Sequence, residues 1–105
     1  YEGKKEGAFL EIFEILTREK LLSALLSTNG AKEIQDFLIN KLQRMIAKDF
    51  IDPTAEKRAL KGFEKDYASI YLAHAIFGAC QAWIKNGKKE SPQEMTDFLL
   101  RFIPQ

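Results

Sequence analysis

The sequence predicts an all-α fold of about five helices. Apolar residues recur at the i, i+3, i+4 and i+7 spacing of a helix face, and no segment shows the apolar–polar alternation of a strand. Asn29-Gly30, Asp52-Pro53 and Gly87 divide this pattern into segments of helical length. With 105 residues, 46% of them hydrophobic, the chain is expected to form a single domain over residues 1–105.

The first helical segment carries one apolar stripe. Its members are Phe9, Ile12, Phe13, Leu16, Leu22, Leu25 and Leu26. We expect a bend between Thr17 and Glu19, and we expect Asn29-Gly30 to end the segment because glycine favours the left-handed conformation that closes many helices.

The second segment is predicted to run from Ala31 to Phe50. Its stripe consists of Ile34, Phe37, Leu38, Leu42, Met45 and Ile46. Asp52-Pro53 should stop this helix, because the residue before a proline is disfavoured in the helical region. The polar stretch 53–62 is predicted to be a connection with room for one short helical turn.

The last two helices have the clearest boundaries. A long helix is predicted over 63–86, with Gly87 as its left-handed cap. Ser91 suits the N-cap of the final helix, Pro92 its first position and Glu94 a capping box. The buried stripe of that helix is predicted to contain Met95, Phe98, Leu99 and Phe102.

The stretch from Tyr67 to Ile84 contains no charged residue, although 30% of the chain is charged. A membrane span is not expected, because polar residues such as His74 and Gln81 interrupt the run and the flanking helices are amphipathic. A helix without a charged face must be buried nearly all round. A domain of this size cannot easily enclose it, so a partner surface is expected.

That partner is predicted to be a second copy of the chain. The last two helices of each copy would form an intermolecular four-helix bundle about a two-fold axis. The predicted interface residues are Tyr71, Ala75, Gly78, Ala79, Ala82, Trp83, Met95, Leu99, Leu100 and Ile103. The alternative is a monomer in which the uncharged helix is simply the centre of the core.

Several functions are not expected from the composition. The net charge of +1 and the absence of a basic stripe argue against DNA binding by this segment. One histidine, one cysteine and no glycine-rich phosphate loop predict no enzyme, no metal site and no cofactor. The single cysteine also rules out an intrachain disulfide and favours the cytoplasm. The polar and charged start from Tyr1 to Gly7 is not expected to be a signal peptide, and because the sequence lacks an initial Met we expect a fragment of a longer protein.

The run from Tyr71 to Met95 resembles the C-terminal domain of TetR-family transcriptional regulators. The shared features are Gly78 within the long helix, Trp83 about a turn before Asn86-Gly87, and the Ser-Pro-x-Glu-Met start of the last helix. Leu21 to Ser27, followed by a glycine turn, is similar to an earlier part of that domain. Together these motifs cover nearly the whole chain.

The resemblance implies a dimer interface in the last two helices, a pocket for a small effector in the preceding ones, and operator DNA bound by a separate N-terminal helix-turn-helix domain. That domain is missing from this sequence. The candidate pocket residues are Phe9, Phe13, Leu38, Leu42, Met45, His74 and Phe77. Such a pocket would suit an apolar or amphipathic molecule. For each residue the alternative is ordinary core packing.

Three side chains of the long helix have separate interpretations. His74 could line the pocket beside Tyr71 and Phe77 or bond across the dimer axis, or its ring could simply bond a backbone carbonyl. Cys80 is predicted to be an apolar filler, because no neighbouring charge would lower its pKa. Trp83 is expected to anchor the final helix. The expected function is a dimerising, effector-sensing regulatory domain; the alternative is a helical protein-interaction module without a small ligand.

Overall fold

The computed structural model describes residues 2–27 and 30–102, with side chains from residue 6 onward. Its described part is all-α, as predicted, with six α-helices and one π-helical turn. In chain order these are α1 (Glu2–Arg18), α2 (Lys20–Leu26), α3 (Lys32–Ile46), the π turn (Ala47–Ile51), α4 (Asp52–Arg58), α5 (Gly62–Lys85) and α6 (Pro92–Phe102). Because α3, the π turn and α4 follow one another without a break, the described residues form five continuous helical segments.

The predicted bend in the first segment is confirmed, since α1 ends at Arg18 and α2 begins at Lys20. The Ser23 hydroxyl donates a 2.6 Å hydrogen bond to the Leu16 carbonyl, which the bend leaves without its usual helical partner. Gly30 follows α2 at a point where a Cβ atom would overlap the carbonyl of Leu25, so only glycine fits there. The other half of the expected break, Asn29, lies outside the described residues.

The prediction that Asp52-Pro53 ends the second helix is wrong. Asp52 has helical dihedral angles (φ −58°, ψ −46°), and α4 continues to Arg58. A proline ring normally clashes with the carbonyl four residues earlier in an α-helix. Here the wider π turn lies directly before Pro53, so the backbone opens where that clash would occur. The expected connection over 53–62 is therefore mostly helix.

The predicted boundaries of α5 and α6 are confirmed. Gly87 adopts φ +85° directly after α5, the left-handed conformation that favours glycine. The Glu94 backbone N–H donates to Ser91 Oγ at 3.1 Å, and the Ser91 N–H donates to Glu94 Oε1 at 2.9 Å. These reciprocal bonds form the capping box that the sequence indicates.

The core lies between two pairs of helices. Helix α5 packs on α3 and the π turn, α6 packs on α1, and α2 connects α1 with α3. Phe9 of α1 contacts Phe50 of the π turn with ring centroids 5.1 Å apart. Phe13 meets Trp83 edge to face, 5.2 Å apart at 85°. Both phenylalanines are fully buried, so these aromatic pairs join α1 to the rest of the fold.

Helix α6 buries only half of the stripe predicted for it. Met95, Thr96 and Leu99 are buried, whereas Phe98 is 38% and Phe102 71% exposed. Thr96 tolerates this position because its hydroxyl donates to the Pro92 carbonyl at 2.8 Å. The two phenylalanine rings stack beside each other, 5.1 Å apart, on the outward side of the helix.

No described helix combines the length and the apolar character needed to cross a bilayer.

Candidate functional site

A cavity of about 570 Å³ opens between α1, α2, α3 and α5. Eleven of its thirteen lining residues are apolar. They are Ile12, Ile15 and Leu16 of α1, Leu22 and Leu26 of α2, Leu38, Leu42 and Met45 of α3, and Ile76, Phe77 and Cys80 of α5. Its size lies within the range of pockets that hold small molecules, roughly 300–1,000 Å³.

The remaining two lining residues, Lys41 and Arg44, are both cationic and both belong to α3. They are exposed, while every other lining residue is buried or half-buried. The two cations therefore lie at the open side of the cavity. Arg44 also borders a shallower depression of about 320 Å³, which is lined by Phe37, Asn40 and Gln43 as well.

The structure brings four of the seven predicted pocket residues to this cavity: Leu38, Leu42, Met45 and Phe77. Phe9 and Phe13 do not line it, because both are fully buried in the aromatic contacts between α1 and the rest of the core. His74 is exposed, and its Nδ1 lies 3.0 Å from the Ile70 carbonyl of its own helix. Its side chain is thus satisfied locally and faces away from the cavity.

Sequence reasoning did not assign the walls from α1 and α2 or the two cations to the site. Except for Ile15, these wall residues belong to the predicted apolar stripe, and the α1–α2 bend at Glu19 separates the two halves of that stripe. Lys41 and Arg44 lie three residues apart beside Leu38, Leu42 and Met45, so they share a helix face with the cavity wall. That spacing is the signal that could have found them.

Cys80 lines the cavity with a thiol that stays protonated. Burial raises its pKa from 9.0 to about 12, because the thiolate would lose its hydration there. This agrees with its interpretation as an apolar filler, since the thiolate is the reactive form of cysteine.

The side of α5 opposite the cavity is an uncharged exposed face, which we call the α5 face: Tyr67, Tyr71, His74, Ala75, Gly78 and Ala82. Tyr67 is 68% and Tyr71 73% exposed. Towards the C-terminal end the face consists of small residues, and a Cβ added at Gly78 would meet nothing within 4 Å. Another helix could approach such a surface closely.

The predicted interface residues divide into groups by placement. Tyr71, Ala75, Gly78 and Ala82 are on the α5 face. Ala79 and Leu100 are half-buried against the core, and Trp83, Met95 and Leu99 are buried within the chain. Trp83 is held there by Phe13 and by a 2.9 Å bond from its indole N–H to the Glu90 carbonyl, so the contact it anchors includes α1. Ile103 lies outside the described residues.

Polar side chains connect the cavity wall to the segment after α5. The Lys88 ammonium donates to the Leu16 carbonyl and to Ser23 Oγ at the α1–α2 bend. Gln81 of α5 donates from Nε2 to the Leu26 carbonyl at 3.0 Å, at the end of α2. The α1–α2 bend is thus hydrogen-bonded to the segment after α5, and the end of α2 is hydrogen-bonded to α5 itself.

Within residues 2–27 and 30–102, no group of three or more histidine, cysteine or acidic residues is placed to hold a metal ion. What the described part does offer is an apolar cavity on one side of α5 and an uncharged exposed face on the other. This combination defines a helical domain with two surfaces suited to apolar partners.

A family model described as the C-terminal region of TetR-type transcriptional regulators matches residues 5–105. The chain therefore belongs to that family of regulator C-terminal regions, as its motifs suggest. The comparisons with curated proteins and with solved structures found no significant match.

Proposed function

We propose that this chain is the dimerising, effector-sensing region of a TetR-family transcriptional regulator, and that operator DNA is bound by a helix-turn-helix domain joined upstream of it. The cavity carries the sensing part of this proposal. Its volume of about 570 Å³ and its mainly apolar walls suit a small apolar or amphipathic molecule. Such a ligand would contact four helices at once.

The α5 face supports the dimer. Its tyrosines are largely exposed, and no charged residue occurs between Tyr67 and Ile84. In a two-fold dimer the same patch of both copies meets itself, so an uncharged patch with small residues is self-complementary. The exposed Phe98 and Phe102 of α6 offer a partner a further aromatic surface.

The position of α5 supports coupling between the two surfaces. Ile76, Phe77 and Cys80 line the cavity, while Ala75 and Gly78 of the same helix turns lie on the α5 face. A ligand that favours one packing of α5 against α2 and α3 would therefore also favour one arrangement of the two copies. The separation of the DNA-binding domains would follow from that arrangement, which makes the effector and the operator linked ligands.

Sedimentation velocity at micromolar concentration tests the dimer. We expect a dimer for the unaltered chain and a monomer for Ala75→Glu, because the two-fold axis brings the two carboxylates together in an apolar contact. Ala24→Glu is the matched control, since Ala24 is an exposed helical alanine of α2 that does not line the cavity. This variant should remain a dimer.

If a folded Ala75→Glu variant still sediments as a dimer, the dimer interface does not include the α5 face. Circular dichroism must show unchanged helicity for that comparison. A monomeric unaltered chain would contradict the dimer and favour the alternative function, in which the same exposed apolar face binds a different protein.

A further inference from the structure

The walls of the cavity restrict the kind of molecule that it can hold. Among the described residues that line it, none carries a carboxylate, hydroxyl or amide side chain. A sugar or nucleoside would lose hydrogen bonds to water there without replacing them, which is costly. The body of any ligand must therefore be apolar.

The residues at the open rim of the cavity restrict the ligand further. In the described part of the chain, Lys41 and Arg44 are the only charged residues that line the cavity. A cationic ligand would meet two like charges at the opening with no carboxylate in the lining to offset them. An anionic group at the same place would meet two opposite charges.

The charges of Lys41 and Arg44 are free for such a group. The ion pairs in the described part of the chain join Lys32 to Asp36 at 2.8 Å and Lys65 to Asp52 at 3.6 Å. Neither involves the rim. Lys41 Nζ lies 6.0 Å from the centroid of the Phe37 ring, a contact that gives the ammonium no compensating negative charge.

The surroundings of Arg44 also suit a polar head group. Asn40 and Gln43, whose side chains end in amides, line the adjoining depression together with Arg44 and Phe37. Residues able to form hydrogen bonds therefore adjoin the rim on this side.

The volume of the cavity limits the length of the ligand's apolar tail. A methylene group fills about the same space as a water molecule in the liquid, ~30 Å³, so about 570 Å³ holds at most roughly 19 chain atoms. A single chain of about 10 to 16 carbon atoms would fit with ordinary packing.

From these features we infer that the effector is a single-chain amphiphile with an anionic head group. Its tail lies among Leu38, Leu42, Met45 and Phe77, and its head group binds Lys41 and Arg44 at the rim. This inference rests on the proposed sensing function.

Calorimetric titration with three probes of equal tail length tests it: dodecanoate, dodecan-1-ol and dodecyltrimethylammonium, each below its aggregation concentration. We expect dodecanoate to bind about tenfold more tightly than the alcohol, and the ammonium probe to bind most weakly. Lys41→Gln and Arg44→Gln should each weaken dodecanoate binding about three- to fivefold and leave the alcohol unaffected.

Lys48→Gln is the matched control, because Lys48 is exposed one turn after Arg44, does not line the cavity and gives the same change of net charge. It should leave all three affinities unchanged. Leu42→Trp fills the cavity and should abolish binding of every probe while circular dichroism shows retained helicity.

The outcomes separate the inference from the function it rests on. Equal affinity for dodecanoate and dodecan-1-ol, with binding lost in Leu42→Trp, overturns the anionic head group and leaves the cavity as a sensing site. Binding that survives Leu42→Trp, or no binding of any probe, overturns the inference. The dimer is judged independently, by sedimentation of the Ala75→Glu variant.

Discussion

Replacing Lys88 by methionine should destabilise the fold far more than the same change at its neighbour. The Lys88 ammonium reaches from the segment after α5 to the α1–α2 bend, where it donates to the Leu16 carbonyl and to Ser23 Oγ. These bonds join residues 72 and 65 positions apart. Methionine keeps most of the unbranched apolar stem and removes the charged donor.

The size of the effect follows from what remains after the substitution. A hydrogen bond from a charged donor contributes about 1.5–3 kcal/mol to stability. The Leu16 carbonyl keeps its 2.6 Å bond from the Ser23 hydroxyl, so the variant leaves no carbonyl unpaired. Because Lys88 is also only half-buried, we expect a loss of about 1.5–2 kcal/mol in the free energy of unfolding, at the low end of that range. For a domain of this size the melting temperature should fall by on the order of 10 °C.

Urea denaturation followed by circular dichroism measures this loss. Lys89→Met is the control, since Lys89 is exposed and should change stability by less than about 0.5 kcal/mol. The double variant of Lys88→Met with Ser23→Ala removes both donors to the Leu16 carbonyl, so it should lose clearly more stability than either single variant. Equal stability of Lys88→Met and Lys89→Met would refute the role of this contact.

Three further predictions concern α5 and the start of α6. Ser91→Ala removes the oxygen that accepts the Glu94 N–H and should cost about 1 kcal/mol in urea denaturation. Trp83→Phe keeps an aromatic ring but loses the indole bond to the Glu90 carbonyl and part of the contact with Phe13, so it should cost about 2 kcal/mol. Cys80 has a pKa of about 12 against its ordinary 9.0, so the thiol contributes stability that is fully present below pH 9 and is lost as the pH rises towards 12. Between pH 8 and 10 the stability advantage over Cys80→Ala should shrink by on the order of 1 kcal/mol.

Each of these predictions has an outcome that contradicts it. Ser91→Asp should retain most of the stability, and a loss as large as that of Ser91→Ala would mean that capping is unimportant here. For Trp83→Phe a loss below about 0.5 kcal/mol would be too small for a buried anchor. A stability difference between the native chain and Cys80→Ala that does not change with pH would show that the Cys80 thiol ionises equally in the folded and unfolded states.

The sequence predicted the fold well where local chemistry decides the backbone. Gly87 and the Ser91–Glu94 capping box mark helix ends through bonds within a few residues, and both are present in the structure. Pro53 was misleading because the π turn before it removes the usual clash. That turn depends on packing of the segment against α5, which no local rule contains.

Only part of the candidate site could be predicted, for a related reason. The apolar walls of α3 followed from helical periodicity and the resemblance, whereas the burial of Phe9 and Phe13 elsewhere depends on the aromatic contacts of α1. Lys41 and Arg44 lie outside the apolar stripe predicted for this helix. A charged residue at a cavity rim and one on an open surface share the same local pattern, and only the bend that positions α1 and α2 distinguishes them.

The π turn also fixes the rotational phase of α4. One additional residue in a helical turn rotates everything after it by about 100° relative to an uninterrupted α-helix. Phe50 and Ile51 within the turn and Thr54 and Ala55 after it are all buried as a result, although no single α-helical stripe contains these four positions together with Ile46. If the same residues formed an uninterrupted α-helix, Thr54 and Ala55 would turn by about 100° from their present orientation. A related chain with the same number of residues but no π turn would therefore have to build α4 with a shifted apolar pattern, whereas a chain one residue shorter could keep the present pattern in a plain α-helix.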